Sequence, residues 1–89
     1  MTADELKSII LAGLPCEHCT MEGDGRHWYA TIVSAGFRGK RAVQRHQMVY
    51  ATLGAKMHTD EVHALSMRTL TPEEWTVDRQ AGEGLTRQP

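Results

Sequence analysis

Apolar residues recur along this chain at two periods, and the switches between them mark out its elements. Leu6, Ile9, Ile10 and Leu14 fall at helical spacing behind a Thr2-x-x-Glu5 capping box, and Gly13 with Pro15 supplies the stop. A helix is expected over residues 3–12. Residues 16–22 form a strand with weak alternation, Gly23-Asp24-Gly25 is a turn, and residues 28–34 are a β run of aromatic and β-branched side chains. Together these make a hairpin. After a connector at residues 35–39, Ala42, Val43, His46, Val49, Tyr50 and Leu53 share one helical face, with Gln44, Arg45 and Gln47 turned elsewhere and Gly54 closing the helix. Residues 55–58 have room for one short helical turn.

The stretch from Asp60 to Trp75 organises the rest. Leu65 and Met67 alternate against Ala64 and Ser66 as in a half-buried strand. That strand runs into the sharpest helix start in the chain, with Thr71 as cap, Pro72 at the first helical position and Glu74 placed to bond back. The last helix is expected from Pro72 to about Arg79, burying Trp75. Residues 81–89, small and polar with two glycines, should fray into a flexible tail beyond a domain of residues 1–80.

The order α-β-β-α-(α)-β-α predicts an α+β fold. A three-stranded mixed sheet carries its helices on one face, and the third strand lies parallel to the second through a right-handed crossover. Eighty-nine residues suffice for one such domain. No apolar run is long enough to span a bilayer and no secretory signal is visible, so a cytoplasmic protein without a membrane partner is expected.

Net charge changes the picture only through its distribution. The total is −1, yet no Asp or Glu occurs between Gly25 and Thr59, where Arg26, Arg38, Lys40, Arg41, Arg45 and Lys56 all fall. Such a window is either an ordinary solvated helix face or a footprint for an anionic partner, and the near-neutral chain favours the former.

Candidate chemistry is sparse. Cys16-x-x-Cys19 follows a helix end and precedes no helix, so the dipole that activates a redox pair is missing. On a strand, residues three apart point to opposite faces, which suits a shared zinc poorly. Two ordinary cysteines are the simpler account. Gly36-Phe37-Arg38-Gly39 has the letters of a nucleic-acid-clamping loop of the KH kind, but it joins a strand to a helix. The loop in the right place begins Gly54-Ala55-Lys56-Met57 and lacks the second glycine, although Lys56 could still meet a phosphate. His46 reads as a packed residue, and His18 and His58 as surface residues without a partner. No catalytic constellation can be placed, so no enzyme is expected. His27, at the turn exit, and His63, at the head of the third strand, could share one end of the sheet.

Gly23-Asp24-Gly25-Arg26-His27-Trp28, Phe37-x-Gly39, Arg45-His46-Gln47-Met48-Val49-Tyr50, Val62-His63-Ala64-Leu65-Ser66 and Thr71-Pro72-Glu73-Glu74-Trp75 occur in order. In this they resemble BolA-like proteins. The resemblance implies a class II KH-like fold and two roles. One is partnership with a monothiol glutaredoxin, the two proteins and glutathione sharing a [2Fe–2S] cluster that the isolated protein lacks. The other is DNA binding and transcriptional control through the helix–turn region carrying Arg38, Lys40, Arg41 and Arg45, with Lys56 as a further contact. It places the family's cluster-ligating histidine on His63. The family's second ligand, a His or Cys, belongs to the loop between the first two strands. Here Asp24 stands where some relatives have the cysteine, His27 is the nearest substitute, and Cys19 is more distant. Alone, the chain is expected to be a monomer or a weak homodimer.

Overall fold

Residues 2–24, 26–54 and 64–87 are described in a computed structural model, with side chains described through residue 80. Helix α1 (Ala3–Gly13) starts at the expected capping box: the Glu5 N–H donates to Thr2 Oγ1, and the Thr2 N–H to Glu5 Oε1. Leu6 and Ile10, one helical turn apart, are fully buried. Strands β1 (His18–Gly23) and β2 (Trp28–Val33) form the antiparallel hairpin. Ser34 then ends the strand. Its hydroxyl donates to the Pro15 carbonyl at 2.6 Å and accepts from the Gly36 N–H, starting a single 3₁₀ turn (Ala35–Phe37) that drives Phe37 into the core.

Helix α2 (Ala42–Leu53) ends at Gly54, whose φ of 52° lies in the region glycine adopts without strain. Its buried line is Val49 and Leu53. Val43, expected on the same face, is 68% exposed. At about 100° per residue Val43 points roughly 120° away from Val49, whereas Arg45, expected to point elsewhere, lies only about 40° from it. Residues 55–58, where a further turn was expected, lie outside the described residues, as does His58 within them.

Strand β3 (Leu65–Leu70) pairs parallel to β2, giving the order β1-β2-β3. The registers stack Cys19, Ile32 and Thr69 in one row, and Met21, Ala30 and Met67 in the next, on the face packed by α1 and α2. The alternate residues form the other face: His18–Val33–Leu70, Thr20–Thr31–Arg68 and Glu22–Tyr29–Ser66. Helix α3 (Pro72–Arg87) opens on the expected Thr71/Glu74 capping box and turns back along this second face. Trp75 stacks on His18 with ring centroids 4.7 Å apart, and Asp78 pairs with Arg68 at 2.6 Å. The expectation of all helices on one face therefore describes α1 and α2, while α3 engages the opposite one. His18 has a partner after all, and Trp75 is half-buried.

The helix also runs eight residues past the expected end at Arg79, through Gly82 and Gly84. Each glycine weakens a helix by about 1 kcal/mol relative to alanine without blocking it, and the next proline is Pro89.

Candidate functional site

The end of the sheet that holds the hairpin turn is built around Asp24. Its Oδ1 accepts the backbone N–H groups of Arg26 (2.8 Å) and His27 (3.0 Å), and these bonds, that from His27 foremost, hold its carboxyl below the usual range. The Asp24 N–H in turn donates to the His27 carbonyl. Behind this turn a side chain on Gly23 would collide with the His27 carbonyl oxygen and with Cε3 of Trp28. Trp28 is 2% exposed, and its Nε1 has no acceptor among the described residues.

The position of His27 follows from the β2–β3 register. Trp28 is level with Leu65, and its N–H donates to the Ala64 carbonyl at 2.9 Å. His27 is therefore one residue beyond the paired strand, level with Ala64, and exposed. The residue before Ala64 in the chain is His63, which lies outside the described residues. The expected sharing of one sheet end by the turn and the head of the third strand holds as far as Ala64.

The basic window is less available than its sequence suggests. Arg38 forms a fork with Glu73, both bonds 2.7 Å, on an exposed surface. Arg45 is more deeply set, with its side chain 13% exposed. It donates to Glu74 at 2.6 Å, to the Thr69 carbonyl at 3.0 Å and to the Lys40 carbonyl at 2.9 Å, and its guanidinium carbon stands 5.9 Å from the Phe37 ring centre. Hydrogen bonds from Arg38 and Arg45 are the largest cause of the depressed carboxyl pKa values of Glu73 and Glu74 respectively. Lys40 and Arg41 are exposed and make no ion pair among the described residues. Lys56 lies outside them. The structural role of Arg45 is legible in its helical angle to Val49, not in its charge.

The model of the BolA-like protein family matches residues 13–74. The chain belongs to the BolA-like family. It is similar to the acid stress protein IbaG of Escherichia coli K12, 31% identical over 80 residues that cover 90% of this chain and 95% of that protein. It is also similar to the DNA-binding transcriptional regulator BolA of Haemophilus influenzae, 38% identical over 63 residues, 71% of this chain and 60% of that one. A solved BolA homologue from Coxiella burnetii superposes with a TM-score of 0.71 at 38% identity, covering 85% of this chain and 97% of that structure.

In this BolA-like chain the cysteines are poor nucleophiles. Cys19 is buried in the core, and burial raises its thiol pKa. Cys16 donates to the Leu14 carbonyl, and burial first, then the neighbouring Cys19, pushes its pKa up to about 11. Thiols in this state offer little thiolate near neutral pH. Among the described residues no three His, Cys, Asp or Glu side chains converge as a metal site, and no helix is long and apolar enough to cross a membrane.

Proposed function

We propose that this protein is a non-enzymatic adaptor that binds a monothiol glutaredoxin and co-ligates a [2Fe–2S] cluster carried between the two proteins. His63 is the principal ligand and His27 its companion, with glutaredoxin and glutathione supplying the thiolates. The observation that carries this reading is the placement of exposed His27 level with Ala64, the chain neighbour of His63. The donor chemistry fits: imidazole is an accepted ligand to one iron of such a cluster and raises its potential. The chain's own part is to present imidazole nitrogens, that of His27 from a turn fixed by Asp24.

Visible circular dichroism of the protein mixed with cluster-loaded monothiol glutaredoxin tests this. His63→Ala should abolish the heterocomplex spectrum and His27→Ala should alter it. An unchanged spectrum with His63→Ala would remove the centre of the reading.

DNA binding is the second reading, favoured by exposed Lys40 and Arg41, which make no ion pair among the described residues, and by similarity to the Haemophilus DNA-binding transcriptional regulator. With Arg38 and Arg45 engaged by carboxylates, two phosphate contacts give a log–log salt slope of about −1.8. Lys40→Glu with Arg41→Glu should abolish binding; equal binding by that variant rules this surface out.

A further inference from the structure

The two edges of the sheet are finished differently. On β3 the bonds Trp28 N–H to Ala64 O and Ser34 N–H to Leu70 O show that even-numbered residues face β2. The backbone groups of Leu65, Met67 and Thr69 therefore point outward, and Arg45 occupies the Thr69 carbonyl. On β1 the Asp24 N–H to His27 O bond fixes the alternation, so that His18, Thr20 and Glu22 face β2. The N–H and C=O groups of Cys19 and Met21 point away from the sheet with no partner among the described residues. Within His18–Gly23 the register is unbroken and there is no lysine or proline, Glu22 being its one carboxylate.

The side chains of β1 are complementary to themselves about Thr20. A second β1 laid antiparallel with the two-fold axis at Thr20 sets Thr20 opposite Thr20 and Cys19 opposite Met21. It also sets His18 opposite Glu22 of the second copy, twice. The outward groups of Cys19 and Met21 then form closely spaced hydrogen-bonded pairs, four bonds in all. On the second face an imidazole, held over Trp75, meets a carboxylate that makes no ion pair among the described residues. We propose that β1 is a self-association edge, through which two copies of this chain join into a continuous six-stranded sheet. Six residues per edge make a small interface, which places the association among weak, concentration-dependent ones.

Sedimentation velocity of the full chain from about 10 µM to about 1 mM, bracketing weak affinities, tests the dimer. The sedimentation coefficient should rise with concentration, and Thr20→Lys, which sets two ammonium groups face to face, should weaken association at least about tenfold while keeping the wild-type melting curve. Thr20→Cys checks the register independently of that variant. Directly opposed residues at a non-hydrogen-bonded pair stand about 4.5 Å apart, within disulfide range, so oxidised glutathione should give a cross-linked dimer above the wild-type background. Ser8→Cys, on the exposed side of α1, should give only background. A monomer through 1 mM, a dimer that Thr20→Lys leaves intact, or equal cross-linking at positions 8 and 20 each overturns the proposal.

Discussion

Arg45 on α2 donates from one nitrogen both to Glu74 on α3 and to the backbone carbonyl of Thr69 on β3. One side chain thus joins two helices to the end of a strand, and it does so 13% exposed with Phe37 beneath it. Removing it strands a half-buried carbonyl and a carboxylate. Arg45→Ala should cost about 1–3 kcal/mol, read as a drop in the urea midpoint, and Arg45→Lys should recover only part, because an ammonium cannot reproduce the fork. Arg38→Ala, which opens a similarly short but exposed pair, should move the midpoint far less. Equal losses at the two positions would contradict this account.

The same pairs set the direction of the acid response. Glu73 and Glu74 have depressed carboxyl pKa values in the folded chain, first through hydrogen bonds from Arg38 and Arg45. A carboxyl of that kind contributes stability that is complete above its unfolded value of about 4.3 and is lost as pH falls through the lower folded value. Unfolding midpoints measured from pH 7 down to pH 3 should therefore fall below about pH 4.5, and Glu74→Gln should flatten that limb. A limb unchanged by Glu74→Gln would place the acid sensitivity elsewhere.

Gly23→Ala should be destabilising by about 1–3 kcal/mol, since the added methyl meets the His27 carbonyl and the Trp28 ring with backbone on one side and core on the other. Its further consequence is functional. Relieving the clash moves His27, so the variant should weaken the glutaredoxin heterocomplex spectrum even where circular dichroism shows it folded. A fully wild-type spectrum would separate the turn from the proposed ligand site.

What was legible in the chain was local. Both capping boxes, Thr2/Glu5 and Thr71/Glu74, were plain because they need only residues three apart. The hairpin and the parallel third strand followed from turn residues and handedness, while the register that sets His27 level with Ala64 came only with the structure. What escaped depended on contacts between distant segments. His18 looked partnerless because Trp75 reaches it only after α3 folds back across the sheet. Arg45 looked like a free cation because its partners Thr69 and Glu74 lie at least 24 residues away in the chain. The four cations of the helix–turn region are, in space, two structural arginines, Arg38 and Arg45, and the two exposed cations Lys40 and Arg41.

Cys16 offers a test of whether the C-x-x-C pair has chemistry of its own. With its pKa pushed up to about 11 by burial and by Cys19, only about 0.03% of it is thiolate at pH 7.5, against roughly 10% for a free cysteine. Alkylation by iodoacetamide should accordingly run two to three orders of magnitude slower than for a free thiol, and urea should restore the ordinary rate. Cys19→Ala removes the smaller of the two causes and should speed Cys16 only slightly, because desolvation remains. Fast alkylation of the folded chain, or a large gain from Cys19→Ala, would mean that the two sulfurs are coupled as a reactive pair.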